Sequence, residues 1–257
     1  MKIRLAATIL MVLFFGAGCA GLAPNRELLY QTSTLDALLE GDYQGRLTIG
    51  QLKRHGDFGI GTLADLDGEL AGLDGRFYQV RADGKVFLVP DEGSTPFAAV
   101  TFFEADRRLD LTGPLDYEGL KIRLDREIKR DLFGAVKISG RFRRVKTRSV
   151  PKQARPYPPL AAVTDRQPVF EFQDLEGVLV GFYCPEFVGT VNAAGYHLHF
   201  LAADLSGGGH LLDCELVEGT LEIDYTPDLY LALPGETAAG RGLNPAEKKR
   251  ELERVEK

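Results

Sequence analysis

Apolar and polar residues alternate along most of this chain, and helical spacing is confined to a few short stretches. Arg76-Phe77-Tyr78-Gln79-Val80-Arg81, Lys85 to Val89, Ala98 to Phe103 and Ala135 to Gly140 read as strands. Gly177 to Tyr183, Tyr196 to Phe200, His210 to Leu216 and Thr220 to Tyr225 follow the same two-residue period. Helices are predicted in four places. Ser33-Thr34-Leu35-Asp36 opens a short one through Leu38 and Leu39, which Gly41 stops. Thr48-Ile49-Gly50-Gln51 has capping-box spacing and starts a turn ending near Gly56. Tyr117, Leu120, Leu124 and Ile128 recur at helical spacing, predicting a helix from Pro114 to Lys129. Near the end Asn244 caps, Pro245 takes the first helical position and Glu247 falls three residues after the cap.

The pattern predicts an α+β chain, predominantly β, with two mixed β-sheet units, short peripheral helices and a C-terminal helix. There is no internal repeat. The proline-rich stretch Pro151 to Pro159 is expected to divide a first sheet unit, residues 26–150, from a second, residues 151–257.

The first 18 residues stand apart from this fold. A short basic start, Met1-Lys2-Ile3-Arg4, precedes the uncharged apolar run Leu5 to Phe15 and the small residues Gly16-Ala17-Gly18-Cys19. The run is too short to span a bilayer comfortably and reads as an export signal. Ala17-Gly18-Cys19 resembles a lipoprotein processing site, with Cys19 as the first mature residue and a membrane tether, although Gly16 sits where a larger aliphatic is usual. Lipidation and plain secretion both stay open, and either places the protein outside the cytoplasm: periplasmic, in the cell envelope or secreted.

Removing that segment takes away Lys2 and Arg4 and no acid, so 29 of the 31 basic side chains remain against 37 acidic ones, a net charge of −8. Such an acidic surface argues against nucleic acid and anionic membrane as partners. Two cysteines remain, Cys184 and Cys214, and spacing alone leaves both a disulfide and two separate buried thiols open.

Candidate chemistry concentrates in one window. Three of the four histidines, His197, His199 and His210, lie within 14 residues. His197 and His199 share a strand face, and the turn Ser206-Gly207-Gly208-Gly209 lets His210 return beside them. Three neutral imidazoles form a metal site with an open position, as catalytic zinc requires, although imidazole also suits copper, iron and nickel. Cys214 shares parity with His210, so a closed three-His-plus-Cys site is an alternative; a hydrogen-bonded histidine cluster is another. Beyond the window, Gly59-Ile60-Gly61-Thr62-Leu63-Ala64-Asp65-Leu66-Asp67-Gly68-Glu69 suits tight turns and close approach to a ligand. By itself it reads as a surface hairpin with a solvated carboxylate. Arg148 heads the rigid segment Ser149-Val150-Pro151-Lys152-Gln153, which can hold a guanidinium against a carboxylate. The tail Glu251-Leu252-Glu253-Arg254-Val255-Glu256 reads most simply as a solvated helix end.

Together these segments resemble the acetolactate decarboxylase family, from Leu29-Tyr30-Gln31-Thr32-Ser33-Thr34-Leu35 to the last residues. The specific parts are Gly61 to Glu69, Arg148 to Gln153 with Arg155-Pro156-Tyr157-Pro158, and Gly195-Tyr196-His197-Leu198-His199-Phe200 with Gly208-Gly209-His210. The resemblance implies that His197, His199 and His210 bind zinc. It implies that Glu69 and Arg148 are active-site residues, that Thr62 is a pocket threonine and that a tail glutamate reaches the site. Glu256 fits that position best, with Glu253 and Glu251 as neighbours. It also implies a homodimer built by pairing sheet edges.

The implied reaction converts a small 2-hydroxy-3-oxo acid, 2-acetolactate, to (R)-acetoin and carbon dioxide. In this reading zinc would chelate the hydroxyl and carbonyl oxygens and stabilise the enediolate left by decarboxylation. Arg148 would orient the carboxylate by paired hydrogen bonds, and Glu69 or the tail glutamate would deliver a proton to one face. Two other function classes remain: another zinc enzyme such as a hydrolase, and an envelope lipoprotein that binds metal without turnover. Product analysis separates the first, and absence of turnover the second.

Overall fold

A computed structural model describes residues 25–235 and 244–255. The expected export signal over residues 1–18, Cys19 and Glu256 lie outside the described residues. The strands are β1 (Leu28–Thr32), β2 (Leu47–Thr48), β3 (Phe58–Thr62), β4 (Glu69–Leu73), β5 (Arg76–Val80), β6 (Val86–Leu88) and β7 (Ser94–Thr95). They continue as β8 (Ala98–Thr101), β9 (Arg107–Asp116), β10 (Phe133–Arg148), β11 (Val169–Cys184), β12 (Gly195–Ala202), β13 (Gly208–Thr226) and β14 (Asp228–Ala232). The helices are α1 (Leu35–Leu39), α2 (Ile49–Leu52), α3 (Tyr117–Asp125), α4 (Leu160–Thr164) and α5 (Pro245–Val255).

The expected class, α+β and predominantly β, is the observed one. Seven strands form a mixed sheet in the order β14-β1-β8-β3-β4-β5-β6, with β1 and β14 parallel and Tyr30 opposite Tyr230. The second sheet runs β10-β11-β12-β13-β9 and is antiparallel in every described pairing, so only the first is mixed. Because β10 also pairs with β13 along its length, the second sheet curls back on itself. Its inner face holds Ile138, Phe142, Leu179, Phe200 and Leu216, together with Leu120 and Leu124 of α3. Its outer face meets the first sheet, where Val180 and Phe182 pack on Phe58, Ile60 and Ala99. A third apolar cluster joins α1, α4 and α5 through Leu35, Leu38, Leu160, Leu252 and Val255.

The sheets do not divide at the proline-rich stretch. β9 and β10 precede Pro151 yet belong to the second sheet, whereas β14 follows it and completes the first. Periodicity shows which residues alternate but is silent on which strand each one pairs with.

Local signals explain most element ends. Thr34 caps α1 by accepting from the Ala37 N–H, and Gly41 beyond it adopts φ +92°. Thr48 and Gln51 make a reciprocal capping box on α2, as Asn244 and Glu247 do on α5. α3 starts at Tyr117, three residues after Pro114, because β9 keeps its pairing with β13 as far as Asp116, which then caps the helix. The two stretches His210 to Leu216 and Thr220 to Tyr225 are one continuous strand, β13.

Candidate metal centre

The site forms where the outer face of the curled sheet meets β3 and β4. On β12, His197 and His199 point to the same side because strand side chains alternate, and both are buried. In register, His199 stands opposite His210 on β13, and His210 stands opposite Arg148 on β10. Four site residues therefore come from three neighbouring strands. Gly209 makes that approach feasible: it adopts φ +128°, and a Cβ there would overlap the Arg148 carbonyl.

A β-bulge beside Arg148 decides which residues share the site. Lys146 pairs with Asp213 and Thr147 with Leu211, so Leu212 is the extra residue on β13. The bulge reverses parity: Leu211 and Cys214, three apart, lie together in the inner core of the curled sheet, while His210 faces outward. Cys214 is thus no fourth ligand, and burial pushes its thiol up to about 12. Cys184 and Cys214 lie in different apolar clusters and form no disulfide with each other.

The potential ligand atoms of His197, His199 and His210 all lie within 4.8 Å of one another. His199 Nδ1 is 2.8 Å from the Leu70 carbonyl, which can only accept, so that nitrogen carries the proton. The Nε2 lone pair is then left buried with no hydrogen-bond partner. His210 Nδ1 and His197 Nε2 stand 3.1 Å apart. Burial pushes His197 down to about 3, with Arg148 adding to the effect, and holds His199 well below the ordinary histidine range. Neutral, converging, desolvated imidazoles, one fixed in its tautomer by a backbone carbonyl, fit a divalent metal that prefers nitrogen.

Glu69 opens β4, directly opposite Thr62 on β3. Its Oε1 accepts from Arg148 Nη1 at 2.7 Å, and its Oε2 lies 3.5 Å from His199 Nε2. The carboxylate thus sits between the guanidinium and a metal-ligand candidate. Arg148 Nη2 donates to the Val255 carbonyl of α5 at 3.0 Å, while its Nε is buried without a partner. Thr62 Oγ1 donates to the Gly68 carbonyl at 2.7 Å, so its hydroxyl braces the turn that leads into Glu69.

These side chains line one cavity with an apolar half of Leu35, Leu38, Leu66, Phe97, Val150, Leu160 and Val255. Of the residues singled out in the sequence, His197, His199, His210, Glu69, Arg148 and Thr62 are all brought together here. Glu253 is exposed on α5 and Glu251 half-buried, and neither lines the cavity. Two contributors escaped sequence reasoning, the carbonyls of Leu70 and Val255, because a backbone group carries no residue-type signal. The apolar wall was missed as well; the spacing of Leu35 and Leu38 in α1 marks a buried face but not what it faces.

Known proteins bear on this geometry. The family model for alpha-acetolactate decarboxylase matches residues 29–240. The alpha-acetolactate decarboxylase of Methanosarcina mazei is 46% identical over 235 residues, spanning 90% of this chain and 81% of that protein. The enzyme of that name from Klebsiella aerogenes is 44% identical over 213 residues, 82% of each chain. The crystal structure of alpha-acetolactate decarboxylase from Bacillus subtilis strain 168 matches with a TM-score of 0.85 at 35% identity, covering 89% of this chain and 99% of that one.

Proposed function

The chain belongs to the alpha-acetolactate decarboxylase family and is a carboxy-lyase acting on acetolactate, and from that premise we propose that it uses zinc and releases (R)-acetoin with carbon dioxide. The observation that carries this reading is the convergence of three buried neutral imidazoles with the Glu69–Arg148 pair. His197, His199 and His210 would hold a divalent ion, which would supply positive charge to stabilise the negative charge that develops on the substrate when carbon dioxide departs.

The chain's own groups do the rest. Arg148 supplies a fixed cation for the substrate carboxylate: Nη1 and Nη2 each make one hydrogen bond within the protein, and the unpartnered Nε is among the donors that remain. That charge orients the carboxylate before the bond breaks and costs no reorganisation afterwards. Glu69, held between Arg148 and His199, would take up a proton from solvent and pass it to one face of the reacting carbon, which selects one enantiomer. Thr62 keeps the β3–β4 turn in place from within the cavity wall. The apolar half of the cavity receives the methyl groups and keeps water from the reacting centre. Glu256, next in sequence to Val255, is the second candidate proton donor by family resemblance.

We also propose that the protein is exported, on the apolar run Leu5 to Phe15, and either tethered through lipidated Cys19 or released. A homodimer is the proposed assembly; the edge strand β14, which leaves Leu229 and Tyr230 exposed, supports pairing of sheet edges.

The test is to incubate the purified chain from Ala20 onward with racemic 2-acetolactate. Carbon dioxide and acetoin would be followed with a chelator and then with zinc restored. Chelator-sensitive acetoin formation that zinc restores is expected. A folded, zinc-loaded protein that makes no acetoin would overturn the reading and redirect the search to ester or amide hydrolysis.

A further inference from the structure

The loop between Thr62 and Glu69 is the most strained backbone near the site. Asp65 (φ 61°) and Leu66 (φ 56°) are consecutive non-glycine residues in the left-handed region. That conformation is uncommon for a bulky side chain and persists only where surroundings over-determine it. Here the surroundings are identifiable. The Asp65 N–H donates to the Tyr43 carbonyl at 2.8 Å, and the Asp65 carbonyl accepts from the Gln153 N–H at 2.7 Å. The Tyr157 hydroxyl donates to Asp65 Oδ1, and Lys152 Nζ lies 3.2 Å from Oδ2. Tyr43 closes the loop by donating its hydroxyl to the Pro158 carbonyl at 2.9 Å. Further along, Gln79 Nε2 donates to the Asp67 carbonyl and Thr62 to that of Gly68. The segment Lys152 to Pro158 is therefore a strap across the turn.

The strap has a side chain to hold. Leu66 is 2% exposed and lines the same cavity as the three histidines. Of the apolar lining, Leu35, Leu38 and Leu160 come from helices, whereas Leu66 projects from the left-handed turn that Asp65 pins. Neither Asp65, Tyr157, Lys152 nor Gln153 lines the cavity, so none is a catalytic residue.

We propose that Leu66 is the wall that limits the alkyl group on the carbinol carbon of the substrate, and that Asp65 and Tyr157 are positioning residues that fix this wall. The inference rests on the decarboxylase reading above. A rigid wall discriminates by size because a strained turn held by hydrogen bonds with Tyr43, Gln153 and Tyr157 cannot retreat when a longer group enters. It makes the turn a specificity element and leaves Glu69, three residues on, to the chemistry.

The test compares kcat/KM for 2-acetolactate with that for 2-ethyl-2-hydroxy-3-oxobutanoate, which carries one more methylene, in the metal-loaded parent and its variants. One methylene in an apolar pocket is worth about tenfold or more. Leu66→Ala is expected to move the ratio toward the ethyl compound by about that factor. Tyr157→Phe removes one hydroxyl outside the cavity; it is expected to move the ratio the same way by less, raising KM for 2-acetolactate more than it lowers kcat. A merely structural role would lower both rates together and leave the ratio alone. If Leu66→Ala does not fold, Tyr157→Phe decides. An unmoved ratio in a metal-loaded variant overturns the proposal while the parent's activity on 2-acetolactate keeps the decarboxylase reading. A metal-loaded parent inactive on both compounds overturns that reading and this proposal with it.

Discussion

Arg148 and Glu69 meet across the two sheets: the first closes β10, the second opens β4, and Nη1 donates to Oε1 over 2.7 Å with both side chains buried. A charge pair out of water is expensive to break from one side, at about 3–5 kcal/mol, because the surviving charge has nowhere to go. The contact therefore fastens the sheets together at the place where the chemistry is proposed.

Glu69→Gln keeps the shape of the side chain and removes its charge and its acid–base capacity. The three histidines are untouched, so metal content should stay at the parent level. Turnover of 2-acetolactate should fall by about a hundredfold or more, with a lower melting temperature from the uncompensated Arg148. Metal analysis, a carbon dioxide assay and thermal melting read the three effects. Full turnover in this variant would rule out Glu69 as the proton donor.

Arg148→Lys keeps one positive charge but loses the planar fork that reaches Glu69 Oε1 and the Val255 carbonyl together. The expected result is a fall in kcat/KM of about tenfold or more, roughly the loss of one charge-assisted hydrogen bond. Limited proteolysis should also cut α5 sooner, since the tail loses its tie to the site. An unchanged cleavage rate would show that the Val255 contact does not hold the tail.

Acid should destabilise the metal-stripped protein through its histidines. In the folded state burial holds His197 down to about 3 and His199 well below the ordinary range, whereas an unfolded chain protonates both near pH 6.5. Below that pH the unfolded state binds protons that the folded state refuses. Stability is thus complete above about pH 6.5 and declines as pH falls toward about 3, by up to roughly 1.4 kcal/mol per pH unit for each histidine. Thermal melting from about pH 7 to about pH 4 measures the slope. His199→Gln should reduce it, and an identical slope in that variant would contradict the assignment.

Gly209→Ala adds a methyl group where the backbone is left-handed and the Arg148 carbonyl is in the way. β13 must then move from β10 at the His210–Arg148 pair. Zinc affinity and turnover should fall together, by about tenfold or more if one ligand is lost from alignment. Isothermal titration with zinc checks the first; undiminished affinity would show that β13 can shift without disturbing His210.

The histidine pair could be read from sequence because strand alternation is a local rule, and the caps of α2 and α5 because their side chains sit within one turn. Cys214 shows where such reasoning stops. Parity put it on the face of His210, and a single bulged residue, Leu212, turned it to the other side. Bulges depend on the partner strand, which no local pattern names. β3 and β4 were legible as a glycine-rich turn motif but not as buried strands, since the second sheet covers Phe58 and Ile60 and α2 covers Leu70. The Leu70 carbonyl, which sets the His199 tautomer, belongs to a residue with no polar side chain to notice.

The parallel pairing of Tyr30 with Tyr230 has a kinetic consequence. The first sheet gains its last strand only from chain made near the end of synthesis, while the second already draws β9 and β10 from the first half. Neither half completes either of the two large sheets on its own, so there is no early foldable unit for a ribosome to release. Such non-local wiring makes for slow folding and for a long interval in which β-rich chain stands exposed. A nascent copy cut off at Pro151 would be a client for chaperones and proteases rather than half an enzyme.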